Sequence, residues 1–141
     1  MGTYKYVNQT WNAREKSEFE HYLRQLLIKW RREPTVHRIE YPTRLDRARA
    51  LGYKAKQGYI VVRVRIRKGG ARKPRPRSGR RQRALGVVRF TRAMSLKHIA
   101  EARAKKRFPN LHVMNSYYVS EDGRHRWYET ILCDPVLGKV R

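Results

Sequence analysis

The chain has 141 residues, of which 35 are Lys or Arg and 11 are Asp or Glu, giving a formal charge of +24 and a pI near 11.2. A 40% hydrophobic content with nine Tyr, three Trp and three Phe supplies a core, so the sequence is not a wholly disordered basic tail. The single cysteine, Cys133, excludes an internal disulfide and a multi-cysteine zinc site, and reads as a small buried hydrophobe on a strand.

From Arg47 to Ala100 there is no acidic residue against eighteen basic ones, eleven of them between Arg63 and Arg83. Self-repulsion of that size destabilises a compact monomer unless a polyanion neutralises it. An anionic membrane would serve, but Arg outnumbers Lys, and the planar guanidinium matches phosphate oxygens bidentately, which favours nucleic acid. The N-terminus has no apolar run of a signal peptide, and the longest aliphatic stretch, Tyr59 to Val62, is too short to span a bilayer, so the expected location is inside the cell.

Taken in chain order, Phe19, Tyr22, Leu23, Leu26, Leu27 and Trp30 recur at helical steps and predict a helix ended by Pro34, with Arg24, Lys29, Arg31 and Arg32 turned outward. After an extended piece containing Pro42, Leu45 to Leu51 predicts a short helix stopped by Gly52. Val62, Val64 and Ile66 then alternate with Arg63, Arg65 and Arg67, a strand with three apolar side chains on one face and three arginines on the other. Same-face residues about 6.6 Å apart match the order of successive phosphate spacings, so the arginine row is expected to track a backbone. The competing reading is a solvated edge-strand face.

Gly69 and Gly70 close that strand. Between them and Ala84 lies a basic stretch with Pro74 and Pro76 and no apolar period, an extended loop suited to grooves and clefts. A nuclear localisation signal or a solubilising loop has the same composition. Gly86 to Phe90 predicts a short strand, and Ser95 an N-cap for a helix through Leu96, Ile99, Ala100 and Ala104 that ends at Phe108 to Asn110. Leu111 to Ser120 and Arg124 to Asp134 read as strands joined by Glu121, Asp122 and Gly123, a hairpin signal. Five of the eleven acids lie between Glu101 and Asp134, which makes the hairpin a scaffold more than a contact surface. The sum is an α+β fold over 1–141: a small antiparallel sheet packed with helices, plus a basic extended loop at 69–84.

No catalytic constellation emerges. The five histidines lack metal-ligand spacing, no phosphate-cradling glycine motif is present, and Asp122-Gly123 is turn chemistry before it is a nuclease metal site with Glu121 and Glu129. No cofactor is expected.

Pro42 to Arg49, Leu51 to Gly58 and Arg67 to Lys73 resemble ribosomal protein fifteen of the large subunit, of archaeal and eukaryotic type. The resemblance resumes at Ile99 to Arg103, Pro109 to Leu111, Ser116 to Val119, Glu121 to Gly123, Trp127 to Glu129 and Asp134-Pro135, so it covers nearly the whole chain. Ser78 to Arg81 is similar to the archaeal form of the basic loop. Ser120 stands where relatives often have Gly, and the chain ends at Arg141 where the family usually continues into a basic tail. The resemblance implies a non-catalytic protein of the cytoplasmic ribosome, docked on large-subunit ribosomal RNA beside neighbouring ribosomal proteins. The residues expected to touch RNA are Arg44, Arg47, Arg49, Lys54, Lys56, Arg63, Arg65, Arg67, Lys68, Arg72, Lys73, Arg75, Arg77, Arg80, Arg81 and Arg83, with Tyr53 or Tyr59 stacking on a base. The alternative function is sequence-independent compaction of DNA, which the same charge would serve; a metal-dependent nuclease is a third.

Overall fold

The computed structural model describes residues 2–13, 18–70, 73–88 and 91–137. Its centre is a four-stranded antiparallel sheet in the order β1-β2-β4-β3, built from β1 (Val36–Ile39), β2 (Tyr59–Arg67), β3 (His112–Glu121) and β4 (His125–Cys133). β2 and β4 pair over their full lengths, Tyr59 opposite Cys133 and Arg67 opposite His125. The predicted hairpin is β3–β4, with Asp122 Oδ1 accepting from the Arg124 and His125 backbone N–H groups at 2.7 and 2.6 Å to set the turn.

Helices cover both faces, and this gives an α+β fold. On one face lies α4 (Leu96–Arg107), started by Ser95 Oγ accepting from His98 N at 3.2 Å. Its Ala100 and Ala104, four residues apart and fully buried, pack with Val62, Val64 and Ile66 of β2. Small side chains at successive turns let the helix axis approach the sheet closely.

The opposite face carries α1 (Thr3–Asn12), α2 (Glu18–Arg32) and α3 (Leu45–Ala50), whose Trp11, Leu23, Leu27, Trp30 and Ala48 join Val61, Tyr117, Val119, Trp127 and Ile131. Glu18 and Glu20 begin α2, and Lys29, Arg31 and Arg32 end it, each charge complementing the helix dipole. α1 was not foreseen, although Tyr4, Val7 and Trp11 keep helical spacing. Trp11 meets Phe19 edge-on at 5.0 Å between ring centroids. α3 stops as expected, Gly52 taking a φ of +96°.

Three expectations are corrected. Tyr22, expected in the buried stripe of α2, is 56% exposed and lies on Phe19 at the margin of the core. Gly86 to Val88 form no strand: they pair with neither edge of the sheet, and Val88 is open to solvent, with no core to hold an extended segment there; Arg89 and Phe90 lie outside the described residues. Within the basic loop, residues 73–81 are neither helix nor strand, but Gln82–Ala84 make one 3-10 turn.

Register shifts fall between Val113 and Asn115 and between Tyr118 and Ser120. With Met114 and Val119 as extra residues, Val113 and Tyr118 pack toward α4 while Met114, Tyr117 and Val119 pack toward α1–α3.

Candidate nucleic-acid interface

The period of two along β2 places Arg63, Arg65 and Arg67 on the face away from Val62, Val64 and Ile66, as the sequence implies. That face is not open. The C-terminal part of α2 covers it, and the expected arginine row is overturned at its first two members. Arg63 is only 8% exposed, with its guanidinium 4.0 Å from the Trp30 ring centroid. It donates to Glu33 Oε2 at 3.1 Å, to Thr43 Oγ1 at 3.0 Å and to Glu129 Oε1 at 3.4 Å. Arg65 is half-buried and donates to the Arg31 carbonyl oxygen at the end of α2. Only Arg67 is exposed.

Glu129, named above as a possible metal ligand, is fully buried beneath this cluster. It accepts from Thr43 N at 3.0 Å, from Thr43 Oγ1 at 2.5 Å and from the Tyr117 hydroxyl at 2.6 Å. Burial, with the Glu129 charge beside it, pushes the Tyr117 phenol far above its usual range. The arrangement is a buried polar brace that ties β2, β4, β3 and the segment before α3. Among the described residues, no group of three or more His, Cys, Asp or Glu is placed to hold a metal ion.

The hairpin acids are likewise engaged internally. Glu121 accepts from Lys68 Nζ at 2.7 Å and from Arg126 Nε, and the Lys68 hydrogen bond leads in holding its carboxyl below the usual range. Burial works to raise Asp122, but Arg31 Nε at 2.8 Å and the two turn N–H groups outweigh it and hold its carboxyl at about 2. Burial pushes the Cys133 thiol up, and Cys133 is fully buried on β4 as expected.

Lys68 is therefore tied to the hairpin, also donating to the Asp122 carbonyl at 3.2 Å. Arg44 is half-buried, pairs with Asp46 at 3.1 Å and lies 4.9 Å from the Trp11 ring centroid. Tyr53, offered as a base-stacking residue, is core instead, 9% exposed among Ile39, Ala48 and Val61, and Tyr59 is half-buried beside it. The distinction that sequence could not draw is between cations that hold the fold and cations that leave it.

The second group is large. Arg47 and Arg49 on α3, Lys54 and Lys56 before β2, Arg67 at its end, and Lys73, Arg75, Arg77, Arg80, Arg81 and Arg83 along the loop are all exposed. Arg49 and Lys56 rest against Tyr4 and Tyr59, and Arg80 donates to the Ser78 carbonyl at 3.2 Å; none of the eleven has a carboxylate partner among the described residues. Arg72 lies outside the described residues. Exposed cations passed over in the sequence are Arg38 on β1, Lys106 and Arg107 at the end of α4, and Arg124 in the hairpin; their isolation from the basic run hid them. No helix among the described residues is long and apolar enough to cross a membrane.

A surface with this many unpaired cations, beside a hairpin whose own acids are engaged internally, has the charge that phosphate binding requires. A family model described as Ribosomal L15 matches residues 2–141, and the chain belongs to that family of structural proteins of the large ribosomal subunit.

Proposed function

We propose that this chain binds and bridges large-subunit ribosomal RNA as a non-catalytic element, one unit over 1–141 with the loop at 69–84 reaching between RNA segments. The observation that carries this reading is the partition of charge: seven acids lie within salt-bridge distance of a basic side chain of the fold, and the cations from Lys73 to Arg83 stand exposed with no carboxylate partner among the described residues. Cations between two RNA helices lower the repulsion that keeps the helices apart and release condensed counterions. Arg47, Arg49, Lys54, Lys56 and Arg67 would contact backbone at the folded surface, and the loop arginines would enter the RNA. Neighbouring ribosomal proteins would share that RNA, and the cytoplasmic ribosome would be the place of action. The test is crosslinking in native cells, denaturing recovery and sequencing of the attached nucleic acid. Reads concentrated at a few places in large-subunit ribosomal RNA are expected. Reads scattered over genomic DNA would favour the DNA-compacting alternative and overturn this one.

A further inference from the structure

A cleft of about 670 Å³ runs along the outer edge of β3, with α1 and α3 on one side and the start of α4 on the other. Its lining holds three cations, Arg44, Arg47 and Lys97, three carboxamides, Asn8, Asn12 and Asn115, and the side chain of Tyr118, but no carboxylate. Asn8 and Asn12 are four residues apart on α1, so they share one face, and both are exposed. Neither carboxamide has a hydrogen bond within the described residues, and Arg47 has no side-chain partner there. Lys97 Nζ and the Ser116 N–H both donate to Asn115 Oδ1, at 3.1 and 2.8 Å.

An open edge strand ordinarily invites an added peptide strand. Here the ladder is broken: two register shifts bend β3, and the Ser116 N–H is already taken by a side chain. What the cleft offers instead is a cation for phosphate, paired carboxamides for a base edge, and an aromatic ring for a base face. Those three groups together are the chemistry by which unpaired RNA is recognised.

We infer that the β3-edge cleft takes one unpaired nucleotide of ribosomal RNA, Arg47 holding its phosphate, Asn8 and Asn12 meeting the base edge, and Tyr118 contacting the base. This rests on the ribosomal RNA reading above and adds base recognition to a surface otherwise made for phosphates. Asn8→Ala with Asn12→Ala in the full chain tests it, against two probes: the large-subunit RNA segment recovered by crosslinking and a scrambled RNA of equal length and composition. The double variant binds the native segment about tenfold or more weakly, with affinity for the scrambled RNA and the salt slope unchanged. Arg47→Gln flattens the salt slope on the native segment by about one phosphate. Equal losses on both RNAs, or no loss, overturn the inference while leaving the RNA reading intact. A photoreactive side chain at position 12 that crosslinks to protein instead of RNA in the assembled subunit also overturns it. Failure of the unaltered chain to bind the native segment at all overturns the RNA reading itself.

Discussion

Arg63→Gln separates a structural arginine from an RNA-binding one. In the fold the guanidinium lies against Trp30 and donates to Glu33, Thr43 and Glu129, and Glu129 is fully buried. A glutamine is too short to span those partners and carries no charge, so it leaves Glu129 with Thr43 and Tyr117 as donors and no cation in contact. Breaking a buried pair by removing one partner costs about 3–5 kcal/mol, because the remaining charge is uncompensated. Loss of the guanidinium on Trp30 adds about 1 kcal/mol. Against a typical domain stability of about 5–15 kcal/mol, and at about 3 °C per kcal/mol for a domain of this size, that lowers the melting temperature by roughly 12–20 °C. Urea titration in sulfate buffer, which screens the chain's self-repulsion, should show the full loss. Arg63→Met with Glu129→Gln should lose less than the sum of the single changes, since neither charge is then stranded. The RNA salt slope, measured under conditions where the variant remains folded, should not change. A variant of unaltered stability whose slope drops by one phosphate would falsify the brace and restore Arg63 to the RNA surface.

The loop behaves oppositely. Changing Arg75, Arg77, Arg80, Arg81 and Arg83 together to Gln should flatten the salt slope of RNA binding by up to about 4 with little change in melting temperature, because all five are exposed; a large drop in melting temperature would show that the loop packs on the fold. Asp122→Asn tests the hairpin. With its carboxyl held at about 2, below the ordinary 3.8, Asp122 stabilises the fold above pH 3.8 and loses that contribution as pH falls through 2. Because Arg31 is half exposed, the effect at neutral pH is about 1 kcal/mol, and the gap between the two proteins in urea midpoint should close toward pH 2; a gap that ignores pH refutes the ion pair. Gly52→Ala should cost about 1–2 kcal/mol in urea titration, since φ is +96° and the new Cβ would lie 3.1 Å from Met114 Cε; a neutral result would mean the turn relaxes freely.

Much of the architecture was legible because it follows from local rules. The apolar positions of α2, Ser95 at the start of α4, Gly52 after α3 and Asp122-Gly123 between β3 and β4 each satisfy a short-range requirement, and each element stands where that requirement puts it. The assignment of Val62, Val64 and Ile66 to one face of β2 also held. What the alternation could not say is what covers the other face. That depends on α2 folding back over β2, on Trp30 meeting Arg63 and on Glu129 arriving from a strand 66 residues away. A buried arginine and a phosphate-seeking one have the same local sequence.

The acids do carry the missing signal. Glu20, Glu33, Asp46, Glu101, Glu121, Asp122 and Glu129 all lie within salt-bridge distance of a basic side chain, and the eleven exposed cations from Arg47 to Arg83 have no such partner among the described residues. With so few acids in the chain, the carboxylates engaged by the fold neutralise only a minority of its basic residues, Glu121 holding two and Glu33 and Glu129 sharing Arg63. Arg63 and Lys68, from the middle of the acid-free run, are fixed by Glu33, Glu129 and Glu121, which come from outside it. The run therefore divides by reach: Arg63 on β2 and Lys68 just past it find distant acids, Arg65 finds the end of α2, and the loop residues find no carboxylate among the described residues. Phosphate would supply the counter-charge that the loop lacks, so under the proposed RNA-bridging function the same scarcity of acids that leaves the free chain self-repelling leaves its outer cations open to RNA.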